Sequence, residues 1–304
     1  MTQTGVAGRW IMGAGPIWAL AALLLAFAVV PWTGSFVFAE SDFEMLPARL
    51  DWGVLFALAM LSLSSLVRAL AEISNPDPAV AVTGVRRVAR GLASGAVLWL
   101  SILPMVLIFK TLRLSEMAQE QDALWTWSMG GLDWGVPAWG ILLNPFAAAI
   151  FLLAAMIHAG LAPFDVSGTE EELAGGRITD TPLPGSITWT LADRLRSLLI
   201  AAIASVIFLG GGDLPGISQS ALTAFIESFL GHAVANFFSL LLHLLAFVAK
   251  VALVMSLQRA LARIMRHVRF EPVINFCWKG LLPAALLDLV MTGVVVGLRM
   301  GGSS

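Results

Sequence analysis

The segment GLASGAVLWLSILPMVLIF, residues 91–109, has no charged side chain and decides the fold. A run of about 20 apolar residues is long enough to cross a bilayer core of about 30 Å as an α-helix. Lipid offers the backbone no hydrogen-bond partner, so a spanning segment must satisfy its own amide groups, which favours a helix. We therefore expect this segment to span a membrane.

Six similar runs flank it along the chain. The seven predicted spans are residues 11–32, 53–72, 91–112, 138–162, 195–212, 235–257 and 274–297. Of the 304 residues 58% are apolar and only 12% are charged, whereas a soluble domain is about a quarter charged. The mean hydropathy is +0.86. The sequence thus predicts an all-α, polytopic membrane helix bundle that forms a single domain over residues 1–304.

The spacing of apolar residues in 217–232 predicts one further helix, which is amphipathic and lies on the membrane surface. The net charge of −2 gives no general attraction for nucleic acid. With one cysteine, Cys277, and four scattered histidines, we expect neither a disulfide nor a metal site on this chain.

The basic residues are distributed unequally between the two sides of the predicted bundle. Most of the 18 Lys and Arg residues lie in segments on the side of the N-terminus. The positive-inside rule makes this side cytoplasmic, and we expect a multi-pass protein of the bacterial inner membrane. Several tryptophans would mark the opposite interface: Trp32, Trp52, Trp125, Trp127, Trp134 and Trp139.

The inner loop after the fourth span carries the strongest functional signal. Residues 158–173 read HAGLAPFDVSGTEEEL, with carboxylates at Asp165 and Glu170 to Glu172. An acidic loop directly after a membrane helix either contacts a basic partner, lines a polar cavity or is simply solvated. Composition alone leaves these alternatives open.

The order of residues resembles subunit 1 of respiratory complex I (the H subunit in bacteria) and its relatives in energy-converting hydrogenases and formate hydrogenlyases. In the acidic loop, Pro163-Phe164-Asp165 with Glu170 and Glu172 resembles the family motif. Further matches follow in the family's order: Leu191-Ala192-Asp193, Phe208-Leu209-Gly210-Gly211, Arg269-Phe270-Glu271 and Trp278-Lys279-Gly280-Leu281-Leu282-Pro283.

This resemblance implies a non-catalytic membrane-arm subunit that docks a peripheral redox arm, helps to form the quinone-site region and couples electron transfer to ion translocation. The implied partners are hydrogenase-like and iron–sulfur subunits of that arm and antiporter-like membrane subunits. The chain itself would bind no cofactor, with quinone possible at the interface with its partners. The implied quinone and coupling residues are His158, Pro163, Phe164, Asp165, Glu170, Glu172 and Asp193.

The chain also departs from the family pattern. His158 stands where the family has a glutamate and Leu161 where it has an arginine, and the first span corresponds to the family's second helix. Two alternatives therefore stay open beside the complex I subunit. One is the equivalent membrane anchor of a hydrogenase or formate hydrogenlyase. The other is a stand-alone secondary transporter, against which the sequence shows no inverted repeat.

Ionisable residues inside the predicted spans form a second candidate site, because buried charge in a bilayer is costly and usually functional. His243 and Lys250 share a helix face, and Asp288 is the natural opposite charge for Lys250. A structural ion pair, a charge relay and snorkelling of Lys250 all remain open. Snorkelling is expected for Lys279, which lies near the inner end of its span. The predicted charge pathway comprises Arg68, Glu72, His243, Lys250, Lys279 and Asp288, with Arg68 and Glu72 as an i,i+4 pair.

Overall fold

A computed structural model gives the fold. It describes residues 6–32, 35–38, 41–44, 50–121, 124–129, 132–161, 164, 186–213, 232–264 and 270–301. The helices in the first half are α1 (Val6–Phe27), α2 (Gly53–Ile73), α3 (Pro78–Phe109), α4 (Leu114–Glu120), α5 (Gly140–Leu143) and α6 (Pro145–Ala159). Those in the second half are α7 (Ser186–Leu209), α8 (His232–Ile264), α9 (Phe270–Phe276) and α10 (Leu282–Gly301), with a π-helical turn at Cys277–Leu281 between the last two.

The predicted polytopic helix bundle is confirmed. Among the described residues, four helical segments are long and apolar enough to cross a membrane, judged by length and composition: Gly53–Ile73, Pro78–Phe109, Phe237–Ile264 and Pro272–Leu298. Gly13–Phe27 and Pro145–Ala159 are shorter apolar helices. Helix α7 stands where the fifth span was predicted, but Asp193, Arg194 and Arg196 make its first half polar. The predicted surface helix lies almost wholly outside the described residues.

Helix α3 begins at Pro78 and not at residue 91 as predicted. The Asp77 side chain accepts a hydrogen bond from the Ala79 backbone N–H at 2.9 Å, and Pro78 occupies the first helical position. Both are favoured at a helix N-terminus, since the side chain satisfies an otherwise unpaired donor and proline has none to satisfy. Arg86, Arg87 and Arg90, which the sequence placed in an inner loop, therefore belong to this helix.

The predicted fourth span, residues 138–162, is interrupted. Asn144 separates the single turn of α5 from α6 and caps α6, with its Oδ1 accepting from the Ala147 N–H at 2.9 Å. At the other end, α6 stops at Gly160, whose φ of 65° is left-handed. Glycine adopts this conformation without the steric cost that a Cβ imposes.

The described residues also contain two antiparallel β-hairpins. Strand β1 (Ser35–Phe38) pairs with β2 (Ser41–Glu44), and β3 (Leu124–Met129) pairs with β4 (Leu132–Pro137). In the second hairpin Trp127 is opposite Trp134. These hairpins were not predicted from the sequence.

The helices pack in a regular succession. Helix α2 packs between α1 and α3, and α3 also contacts α6 and α10, while α7 contacts α1, α6 and α8. The apolar core includes Leu58, Leu61, Leu98, Phe151 and Leu199, all essentially inaccessible to solvent. Helices α8 and α10 lie at the periphery. In the most apolar stretches of the two spans to which they belong, only 22% and 11%, respectively, is buried within the chain.

Candidate functional site

A buried network of charged side chains joins α2, α3 and α7 at the end of the bundle from which the acidic loop starts. The Glu72 carboxylate accepts hydrogen bonds from Arg87 Nε and Nη2, both at 2.8 Å, and from Arg68 Nε at 3.2 Å. Arg68 also donates to Asp193, and Asp193 accepts from Arg196 Nη1 at 2.8 Å. Each carboxylate is thus shared by two guanidinium groups, and Arg68 bridges the two carboxylates.

Most of the network is shielded from solvent, and the exception is the Asp193 side chain, which is 38% exposed. The side chains of Arg196, Glu72 and Arg87 are 1%, 5% and 10% exposed. Arg68 also lies over the ring of Trp189, with Cζ 5.5 Å from the centroid, in a cation–π arrangement. Three guanidinium groups face two carboxylates, so the network carries an excess of one positive charge.

Arg90 connects α3 to the start of the acidic loop. Its side chain is buried, and Nη1 donates to the Phe164 carbonyl at 3.0 Å. Phe164 is itself buried, and a Cβ added to Gly160 would lie only 2.5 Å from Arg90 Nη2. The structure thus places Phe164 next to a buried cation of the bundle. Pro163, Asp165, Glu170 and Glu172 lie outside the described residues.

His158 lies beside this connection, in the last turn of α6. It is buried, and its Nδ1 is 3.4 Å from the Ser94 hydroxyl, which donates to the Arg90 carbonyl at 2.7 Å. His158 also lines a cavity of about 520 Å³ between α2 and α3, together with Arg87, Ser65 and Trp99. The lining of this cavity is predominantly apolar, and Arg87, Ser65 and His158 are among its few polar residues.

The intramembrane residues of the second candidate site do not form one cluster. Lys250 Nζ donates to the carbonyls of Leu209 and Asp213, both at 2.6 Å, and lies 4.8 Å from the centroid of Trp139. It therefore contacts the C-terminal end of α7, where a helix presents unpaired carbonyl groups. His243, on the same face of α8, is buried and its Nδ1 is 2.8 Å from the Ser239 carbonyl.

The expected pairing of Lys250 with Asp288 is wrong. Asp288 accepts hydrogen bonds from Asn144 Nδ2 at 3.0 and 3.1 Å, across the contact between α10 and α6. Lys250 on α8 and Asp288 on α10 thus have different hydrogen-bond partners among the described residues. Lys279 is exposed in the π-helical turn, about two turns from the start of its span at Pro272. The predicted i,i+4 contact between Arg68 and Glu72 is confirmed.

Sequence reasoning missed four residues of these sites: Arg87, Arg90, Arg196 and Asn144. Arg87 and Arg90 were counted as loop charges because the predicted third span started too late, and Arg196 was counted with the inner basic residues although it lies at the start of the predicted fifth span. Asp77-Pro78 and Asn144-Pro145 were the missed signals, since Asp or Asn before proline marks a helix start. No group of three metal-ligating side chains occurs among the described residues.

Comparison with known proteins identifies the family. The family model described as NADH dehydrogenase matches residues 2–293. The chain is 30% identical over 282 residues to the NADH-quinone oxidoreductase H subunit numbered 2 of Cereibacter sphaeroides, an alignment that covers 91% of this chain and 75% of the relative. It is 28% identical to the H subunit numbered 1 of Rhodopseudomonas palustris (92% and 75%) and 26% identical to the H subunit of Helicobacter pylori (95% and 78%). The chain therefore belongs to the NADH dehydrogenase subunit 1 family, whose bacterial members are the H subunits, membrane subunits of complex I.

Proposed function

We propose that this chain is the membrane-arm subunit of a complex I-like oxidoreductase that docks the peripheral redox arm, helps to form the quinone-site region and couples electron transfer to ion translocation. The observation that carries the proposal is the buried network of Glu72, Arg68, Asp193 and Arg196 with Arg87. Family membership supports the assembly into a membrane complex, and the network supports the coupling role.

The network suits coupling because its charges are close together, shared between partners and, except for Asp193, largely buried. Inside a protein the effective dielectric constant is well below that of water, so a charge change at one member alters the energy of the others. Arg68 has two alternative carboxylate partners, Glu72 and Asp193. A change in the charge of either carboxylate would therefore shift its hydrogen bonds toward the other.

The network is also well placed to sense the redox arm. Arg90, at the same end of α3, holds the start of the acidic loop through the Phe164 carbonyl. Arg196 keeps one buried N–H nitrogen, Nη2, without a hydrogen bond among the described residues. Docking or quinone chemistry at the acidic loop would thus act directly on a charge network that reaches across three helices.

Glu72→Gln tests the proposed coupling. The variant removes the charge that Arg68 and Arg87 share, and loss of one partner from a buried pair costs about 3–5 kcal/mol. In membrane vesicles that hold the assembled complex, we expect electron transfer to continue while the number of ions translocated per electron falls. The stoichiometry of the subunits shows whether the complex is still assembled.

Glu116→Gln is the matched control. Glu116 pairs with Arg113 at 2.8 Å at the opposite end of the bundle, but its side chain is 42% exposed. The carboxylates of Asp51 and Glu116 accept hydrogen bonds from Arg113 and raise the pKa of its guanidinium. Such exposed pairs contribute little to stability, because water and salt screen them. An unchanged ion-to-electron ratio in assembled Glu72→Gln would refute the coupling role.

The alternative function, the membrane anchor of a hydrogenase, has a different test. Co-purification of this chain with a hydrogenase-like large subunit, together with an absence of quinone reduction, would favour it.

A further inference from the structure

Asp288 is a carboxylate in the middle of a membrane-spanning segment, and its side chain is only partly enclosed by its own chain. It lies within the apolar segment Pro272–Leu298. Asn144 Nδ2 donates to both of its oxygens, and also to Thr292 Oγ1 at 3.1 Å. Because Asn144 Oδ1 caps α6, the amide group is fixed with its donor toward Asp288.

This environment does not balance the charge of Asp288. One neutral amide is its donor, and no Lys, Arg or His forms an ion pair with it in the part of the chain that the structure describes. Lys250 donates to carbonyls at the end of α7 instead. A charged carboxylate at this depth is costly in lipid and is usually paired in the native assembly.

The surface around Asp288 is suited to a second helix. Ala284, Asp288, Met291 and Val295 are spaced i, i+4, i+7 and i+11, so they form one stripe along α10, which we call the Asp288 stripe. Ala284, Met291 and Val295 are exposed. Of the four membrane-length segments among the described residues, the one that contains α10 has the smallest buried share.

We propose that the Asp288 stripe binds a transmembrane helix of a neighbouring membrane subunit, and that this helix places a Lys or Arg side chain against Asp288. The inference rests on the proposed function, because it requires assembly into a multisubunit membrane complex. Lipid tails carry no hydrogen-bond donor. A second copy of this chain, docked through the same stripe, would bring a second Asp288 carboxylate to the first, so like charges oppose self-association there.

A photo-crosslinking amino acid at Met291 tests this contact in the intact complex, in cells. We expect a crosslink to one other membrane subunit. Asp288→Asn should reduce its yield about tenfold or more, which corresponds to a loss of about 1.4 kcal/mol of binding free energy. Asp288→Glu keeps the charge and should retain most of the yield. Replacing the intramembrane Lys or Arg of the crosslinked subunit should reproduce the loss.

Asp51→Asn is the matched control, because Asp51 is an exposed carboxylate paired with Arg113 far from the stripe. Its crosslink yield should equal that of the unmodified chain. A crosslink from Met291 only to lipid or to another copy of this chain would overturn the inference, as would an undiminished yield in Asp288→Asn. The crosslink yield does not depend on turnover, so this result stands apart from the ion-to-electron ratio of Glu72→Gln.

Discussion

At the scale of single residues, the contact between Arg90 and Gly160 shows how the bundle constrains the start of the acidic loop. Gly160 has a left-handed backbone and lies against the Arg90 guanidinium, where a Cβ would approach Nη2 to 2.5 Å. The backbone conformation favours glycine, and an added Cβ would force the Arg90 guanidinium to move. The sequence predicts the first feature, the left-handed backbone, because a helix commonly ends at a glycine. It gives no sign of the second, since the arginine comes from a different helix.

Gly160→Ala should therefore displace the Arg90 guanidinium and weaken its bond to the Phe164 carbonyl. The left-handed backbone costs an alanine roughly 1–2 kcal/mol, and overpacking adds about 1–3 kcal/mol. We expect a lower midpoint of thermal unfolding in detergent and weaker retention of the redox arm. Gly91→Ala is the control, because an added Cβ there meets no atom within 4 Å and alanine favours the helix. Equal stability of the two variants would contradict this account.

At the scale of secondary-structure elements, the end of α7 depends on side chains from two other segments. Gln121 Nε2 donates to the carbonyls of Val206 and Ile207 at 2.9 and 3.1 Å, and Lys250 Nζ donates to that of Leu209. Together they satisfy carbonyls that a helix C-terminus leaves unpaired. A cation near a helix C-terminus is also favoured by the helix dipole.

Lys250→Met should accordingly destabilise the bundle more than it alters coupling. Each lost hydrogen bond from a charged donor costs about 1.5–3 kcal/mol, so the midpoint of thermal unfolding should fall clearly. The ion-to-electron ratio in vesicles should stay at the wild-type value. Gln121→Leu removes the neighbouring cap and should have a similar thermal effect. A lower ratio in Lys250→Met with normal stability would instead support the charge relay that the sequence left open.

At the scale of the whole molecule, the bundle was predictable from the sequence, but the contacts between helices were not. Long apolar runs identify spans because lipid imposes one solution on the backbone. The predicted helix boundaries were wrong at Pro78 and at Asn144. At Pro78 a polar cap starts the helix earlier, so that the helix includes arginines that the prediction placed in a loop. At Asn144 a polar cap interrupts the predicted helix. The predicted partner of Asp288 was wrong as well, because opposite charges on two spans do not indicate whether those spans are neighbours. The hairpins carry no comparable apolar signal.

The charge network lies at the end of the bundle where the described chain leads, at Phe164, into the acidic loop, which leads to a prediction about docking. If the loop binds the redox arm, Glu170→Gln combined with Glu172→Gln should release that arm from washed membranes while the amount of this chain stays constant. Two carboxylates in a merely solvated loop would matter little, because exposed ion pairs contribute about 0–1 kcal/mol. Asp51→Asn combined with Glu116→Gln removes the same charge at the opposite end and should leave the arm bound. Wild-type retention and turnover in the loop variant would show that the loop is not the docking surface.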